Sequence, residues 1–276
     1  MTLALPDVTL CAITAINHEL TIRAMNECLK HCSFSDVVLI SDKPIEAPFR
    51  VEVIPTFSGL HFYAPFVCKH LHEYTASSFN LIVQFDGYIV NPLAWSDEFL
   101  KYDYIGAKWP WFPENRRVGN SGFCLRSKKL LNILAEQPLP PYGTYVDDTF
   151  ICHSIRDHLE IEHNIKIAPD LIADRFSYER EKPPHSTFGF HGMFNSWRHI
   201  DDVEMEKVIR LLDEYYVKTR AYSELVFQYY TIRKYHLVAV LYSRMRELMG
   251  AASVRQHLLN LANDPEYIDR IIETAS

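Results

Sequence analysis

Three short stretches carry side chains that can do chemistry. In "NLIVQFDGYIVNP", Asn80 to Pro92, an apolar run ends on one carboxylate, Asp86. In "YGTYVDDTF" two adjacent acids, Asp147 and Asp148, close a proline-rich loop and open a helical pattern. In "VGNSGF", Gly119 and Gly122 flank Asn120 and Ser121. A carboxylate at a strand end is placed to grip a ligand, because ligands of open α/β sheets lie outside the carboxyl ends of the strands. There it is expected to stay solvated, without the desolvation cost it would meet inside the strand. The competing reading of Asp86 is an acid in a tight Asp-Gly turn. Adjacent acids after a long loop can deliver a general base. They can equally cap a helix, where free N–H groups and the dipole favour negative charge by roughly 0.3–1 kcal/mol each. The glycines either form turns or let a ligand approach the backbone. Cys28, His31 and Cys32 stand at helical spacing and offer half a zinc site, but no second cluster lies nearby in sequence, and ordinary helix packing is the preferred reading.

These residues need elements to hold them. Val8 to Thr14 ("VTLCAIT") predicts a strand, Leu20 to His31 a helix, and Val37 to Ser41 ("VVLIS") a second strand. That order implies a parallel pair with a crossover helix. "VEVIP" (Val51 to Pro55) predicts a third strand, Phe66 to Thr75 a helix, and Leu81 to Phe85 a fourth strand ending at Asp86. Beyond Pro92 the chain turns dense in aromatics, glycine and proline, the composition of loops around a pocket. Helices are expected at Ser127 to Ala135 and from Thr149 to about Glu162. From Ile200 onward, apolar stripes at helical spacing predict an appendage of three to five helices, with the aromatics as core. The expected division is a domain over 1–199 and a helical region over 200–276.

Composition bounds the function. The 276 residues include 48% hydrophobic residues and only 9 glycines, so a large buried core is within reach. A net charge of −7 and the lack of a basic block argue against nucleic acid as partner. No apolar run approaches the ~18 residues of a membrane span, and the first residues lack a signal-peptide pattern. Six scattered cysteines without a CxxC pair fit reduced thiols. The expected location is the cytoplasm, with peripheral attachment to the inner membrane as the alternative.

The blocks "QFDGYIVNP", "YDYIGAKWPW", "VGNSGFCLRS", "DDTFICHSIR", "IKIAPDLIADRFSYE" and "FGFHG", in this order, resemble a GT-A-type glycosyltransferase. More narrowly, Val8 to Phe194 resembles a bacterial family of glycosyltransferase-like domains. The resemblance implies an α/β fold: a Rossmann-like nucleotide-sugar-binding domain with a mixed, mostly parallel sheet, here followed by the all-helical appendage. In that fold a D-x-D motif holds the ribose, diphosphate and metal of the donor. Asp86-Gly87-Tyr88 keeps only its first carboxylate. Donor contacts are implied at Asp86, Tyr88, Lys69, Asn120 and Gly122, and a metal site at Asp86 and His191. With two protein ligands, magnesium or manganese binding is expected to be weak and nucleotide-dependent, or activity to need no metal.

Asp147-Asp148 resembles the x-E-D motif of inverting members, whose last carboxylate is the base. Asp148 is thus the implied base, with Asp147 orienting the loop or capping the helix; Asp174 and Glu179 are reserves. Lys69 and Arg126 are the candidate cations for the departing diphosphate. The activity implied is sugar transfer from a nucleotide sugar, UDP being the commonest carrier in the fold, to a hydroxyl of a bacterial glycan, as in polysaccharide biosynthesis. The alternative is a non-catalytic GT-A-like shell that binds a saccharide or nucleotide. Nucleotidyl transfer lacks the phosphate loop it would need after the first strand. The helical region is expected to pack on the domain and to pair with a second copy or a membrane-bound assembly partner.

Overall fold

The apolar runs of the first half become the strands of one twisted sheet. In the computed structural model, which describes residues 2–54 and 62–275, β1 (Leu3–Thr14), α1 (His18–His31), β2 (Cys32–Ser41) and β3 (Arg50–Val53) follow in order. Pro55, with which the third expected strand ends, lies outside the described residues. The helix expected over Phe66 to Thr75 breaks at His70 into α2 (Tyr63–Lys69) and α3 (Leu71–Tyr74). β4 (Phe79–Val83), the two-residue strands β5 (Tyr88–Ile89) and β6 (Tyr104–Ile105), and β7 (Phe123–Ser127) come next. They are followed by α4 (Lys128–Glu136), the turn α5 (Asp147–Thr149), a π-helical segment Phe150–Ser154, α6 (Arg156–His163), α7 (Asp170–Phe176), β8 (Ser177–Tyr178) and β9 (Gly189–Phe190).

Among the described residues the larger sheet has the order β3-β2-β1-β4-β7-β6. β3, β2, β1 and β4 run parallel, whereas β7 is antiparallel to both β4 and β6. This is the mixed, mostly parallel α/β class expected. The chain passes from β1 outward to β3 and then returns to β4 on the other side, so the order reverses between β1 and β4. Such a switch point leaves a crevice at the carboxyl ends of the strands. The antiparallel register pairs Val83 with Phe123, which brings the loop before β7 to the carboxyl end of β4. One face of the sheet is closed by an apolar core that includes Ile13, Val38, Ile82, Cys124, Phe66, Leu130 and Phe150. A second, small sheet has the order β5-β9-β8.

The chain divides into two compact units, Met1–His191 and Gly192–Ser276. The 3₁₀ segment Met193–Arg198 belongs with the helical unit, ahead of α8 (Asp202–Leu211), α9 (Glu214–Val217), α10 (Arg220–Thr231), α11 (Tyr235–Met249), α12 (Ala251–Ala262) and α13 (Pro265–Ala275). These are six α-helices among the described residues, more than the stripes alone suggested. The additional breaks fall at Gly250 and Asn263, both at positive φ, the backbone that commonly ends a helix. Met205, Val208, Tyr222, Leu225, Tyr229, Leu241, Met245 and Ile268 are buried, so the aromatic stripe is core. Among the described residues no helix is long and apolar enough to cross a membrane.

Candidate active site

The small sheet gathers three of the charged side chains. β5 and β9 pair antiparallel with Tyr88 opposite Phe190, while β8 and β9 pair parallel with Tyr178 opposite Phe190. Asp86 lies two residues before β5, Glu179 follows β8 directly, and His191 follows β9 directly. The ladder therefore places Asp86 and Glu179 on either side of His191. His191 Nε2 lies 3.3 Å from Asp86 Oδ1, and Nδ1 lies 3.3 Å from Glu179 Oε1. Asp86 is only 5% exposed and sits three residues beyond the end of β4, so it is not the solvated strand-end acid expected from sequence. Burial disfavours the imidazolium, but Asp86 and Glu179 outweigh it and favour the charged ring up to about 10. In turn His191 holds the Glu179 carboxyl below its ordinary range despite burial.

Backbone of unusual closeness makes room for that histidine. A Cβ on Gly122 would lie 1.9 Å from His191 Nε2, so the residue is glycine because the imidazole fills the place of its side chain. Gly122 was expected to admit a ligand; it admits His191. Asn120 stands in the left-handed region at φ 67°, which asparagine tolerates better than most residues. Its carbonyl accepts from the Tyr104 hydroxyl at 2.7 Å, and its Oδ1 accepts from the Phe123 amide at 3.2 Å. That orientation turns Nδ2 toward His191 Nδ1, 2.8 Å away. A bare Nδ1 is thus served by Asn120 and a protonated one by Glu179. Asn120 acts on the site through His191.

The two acids of the "DDT" turn have unlike surroundings. Arg126, on β7, is fully buried and donates from Nη2 to Asp147 Oδ2 at 2.5 Å. Its guanidinium also lies 5.1 Å from the Tyr104 ring centroid, and its Nε and Nη1 find no hydrogen-bond acceptor among the described residues. Asp147 therefore answers a buried cation; the turn that it opens has no side-chain cap. Asp148 points the other way. Ser121 Oγ approaches Asp148 Oδ2 at 3.4 Å, and Oδ1 accepts from the Thr149 amide at 2.7 Å. Burial, then the Asp147 charge, push the Asp148 carboxyl up to about 7 from an ordinary value of 3.8, with Arg126 and the Thr149 amide opposing. The folded-state value is raised, so the stability that its neutral form contributes is full below about 4 and is lost as pH rises through 7. The helix that follows does not run straight from Thr149: it passes through the π-helical segment before α6, a distortion that often accompanies functional sites.

The loop Gly119–Gly122 thus touches Asp148 through Ser121 and His191 through Asn120 and Gly122. A family model described as "Protein of unknown function (DUF5672)" matches residues 53–191, half of the chain, and its span contains all of these side chains and ends on His191. The chain belongs to this family. Among solved structures it is similar to the mannosyltransferase PcManGT from Pyrobaculum calidifontis, solved in complex with GDP-Man and Mn2+. The TM-score is 0.43 at 10% identity, covering 98% of this chain and 84% of that one. It is also similar to apo glycosyltransferase GlyE of Streptococcus pneumoniae TIGR4, with a TM-score of 0.36 at 11% identity, covering 73% of this chain and 57% of that one. No curated protein sequence matches the chain.

Within the family span, several expected ligand contacts are engaged elsewhere. Lys69 donates to the carbonyls of Ala135, at 2.8 Å, and Gln137, which ties it to the end of α4 and corrects its assignment to the donor. Tyr88 is buried, packed edge-on against Phe190 at 4.8 Å with the Arg23 guanidinium 5.4 Å from its ring centroid. Arg126 is the internal partner of Asp147 and not a cation for a departing diphosphate. Asp174 is paired with Lys108 at 2.8 Å, whereas the other reserve acid, Glu179, lies in the site. Cys28 accepts from the Ile89 amide at 3.4 Å, as a buried packing residue, and all six thiols are free and buried. Among the described residues no group of three or more His, Cys, Asp and Glu is arranged to hold a metal ion. Trp109 is the participant that sequence reasoning missed: its indole N–H donates to Glu179 Oε2 at 2.9 Å. The available signal was Gly119, where a Cβ would come within 2.3 Å of the Trp109 ring.

The buried pair yields a direct test. Arg126→Met leaves Asp147 charged and unmatched, and is expected to destabilise the sheet-bearing unit by about 3–5 kcal/mol. Arg126→Met with Asp147→Leu removes both charges and is expected to recover most of that loss. Chemical denaturation of the four proteins of the cycle checks it; equal losses in the single and double variants would contradict the pairing.

Proposed function

We propose that this chain is a GT-A-type, nucleotide-sugar-dependent glycosyltransferase that moves a sugar to a hydroxyl acceptor by a single displacement with inversion. The observation that carries the reading is the meeting of two unlike groups across the Gly119–Gly122 loop, at the carboxyl edge of the sheet beside its switch point. One is Asp148, a half-buried carboxyl shifted to about 7. The other is the Asp86–His191–Glu179 cluster.

Asp148 is the general base. A hydroxyl is a poor nucleophile until its proton is taken, and a base with a pKa near the working pH combines ionisation with affinity for that proton; such catalysis contributes roughly 10²–10⁴-fold. The acceptor oxygen bonds to the anomeric carbon while the bond from that carbon to the diphosphate oxygen breaks. The hydroxyl proton passes to an Asp148 carboxylate oxygen, and the nucleoside diphosphate leaves from the opposite face. Asp147 and Arg126 take no part in bond making; they keep Asp148 turned to the crevice.

Asp86 and His191 are the residues that would hold a divalent cation. A cation would take the place of the proton between Asp86 Oδ1 and His191 Nε2, 3.3 Å apart, so His191 would bind it as the neutral ring, giving up the imidazolium that the two acids otherwise favour. Two protein donors suit a cation that takes its other ligands from water and diphosphate, and Glu179 supplies the carboxylate that orients a metal-bound imidazole. Such an ion supplies charge neutralisation for the departing diphosphate. The nature of the sugar and base is left to a screen of nucleotide sugars, in which a ligand at a hundred times its Kd raises stability by about 2.7 kcal/mol.

Asp148→Asn retains shape but cannot take a proton. It is expected to cut turnover by roughly 10²-fold or more with donor affinity unchanged. Wild-type turnover is expected to fall about tenfold per pH unit below an apparent pKa near 7. Undiminished turnover by Asp148→Asn would remove Asp148 as base. Asp86→Ala is expected to abolish nucleotide-sugar binding in calorimetry, with and without magnesium or manganese, while leaving the secondary structure intact. Wild-type affinity in that variant would remove Asp86 from the donor site.

A further inference from the structure

Outside the groups used above, the most exposed tryptophan neighbour of the site is Trp111, 61% exposed, where Trp109 is 7% exposed. Both belong to the excursion between β6 and β7, whose arms are held together by the Lys108–Val118 bridge and by the Trp109 amide donating to the Arg117 carbonyl at 2.8 Å. The rings form a graded series of near-parallel planes. His153 stacks on Phe112 at 3.8 Å and 16°, Trp109 lies 5.8 Å from His153 at 21°, and Trp111 lies 6.1 Å from Trp109 at 15°. The inner end is rigid: the backbone at Gly119 leaves room for the Trp109 ring, and Glu179 holds its indole nitrogen. The outer end, Trp111, presents an indole to solvent.

We propose that Trp111 is a saccharide-stacking subsite of the acceptor, taking a pyranose ring at least one unit removed from the reacting hydroxyl. The aliphatic C–H face of a pyranose is weakly positive and matches the negative face of an indole, so a fixed, exposed tryptophan binds sugars without needing a particular linkage. Trp109 joins the ring series to Glu179 of the Asp86–His191–Glu179 cluster. His153 lies in the π-helical segment that directly follows the turn bearing Asp148, which puts the ring series on the side of the base. The assignment to the acceptor rests on the transferase reading; the affinity for saccharide does not.

The test uses the full chain without donor. Maltotriose, cellotriose, chitotriose and mannotriose are titrated by saturation-transfer NMR and by tryptophan fluorescence against wild type, Trp111→Ala and Trp111→Phe. The expected result is ring C–H saturation for at least one trisaccharide, lost by about tenfold or more in Trp111→Ala and partly kept in Trp111→Phe, with unchanged circular dichroism. Binding of none of the four by wild type, or equal binding by Trp111→Ala, would overturn the proposal. So would loss of nucleoside monophosphate binding in Trp111→Ala with saccharide binding intact. Saccharide binding in a protein that turns over no nucleotide sugar would keep the subsite and discard the transferase.

Discussion

A guanidinium buried within an α/β core must be met by an anion, and much of the candidate site follows from how Arg126 is met. Two of its three nitrogens find no acceptor among the described residues, so the bond to Asp147 and the face of Tyr104 carry its charge. Removing one partner of such a pair is far more costly than replacing both. The loop before α5 is thereby pinned to β7 at one point. With Asp147 pinned inward, its half-buried neighbour Asp148 meets Ser121, where partial burial and the Asp147 charge raise its affinity for a proton. A structural ion pair and an acid of raised proton affinity thus stand side by side in one turn.

The second constraint is the register of three strands of two residues each. Pairing Tyr88 with Phe190, and Phe190 with Tyr178, leaves Asp86, His191 and Glu179 just outside the ladder and within reach of one another. A shift of one residue would turn each side chain to the other face of the sheet. Gly87 and Gly122 keep the surrounding backbone close enough that no larger residue fits beside His191. The site is therefore assembled by backbone proximity as much as by side-chain chemistry, and the same loop, Gly119–Gly122, reaches both halves of it.

What could be read from the sequence follows the length and periodicity of the elements. β1, β2 and β4 were legible because runs such as "VTLCAIT" and "VVLIS" are buried on both faces, as central parallel strands are. The helical unit was legible because Leu, Tyr and Val recur at helical spacing, although Gly250 and Asn263 divide it further. β5, β8 and β9 were not, since two residues have no period. β7 was hidden by Arg126, a charge that reads as surface until its partner Asp147, 21 positions away, is known. Lys69 looked available to a ligand for the opposite reason: a long flexible cation gives no local sign that two carbonyls near the end of α4 will hold it. Asp86, Asp148 and His191 were identifiable as residues, while their burial and Glu179's place among them depend on pairings that local sequence does not encode.

The central claim is that one carboxylate activates the acceptor in a single step, with no sugar bonded to the protein on the way. Stereochemistry reports on that more directly than any rate. The measurement is proton NMR of the sugar first released or transferred from a nucleotide sugar that the wild-type protein turns over, recorded before the anomers equilibrate. A single displacement assisted by Asp148 predicts an anomeric configuration opposite to that of the donor. Retention of the donor configuration would contradict the account.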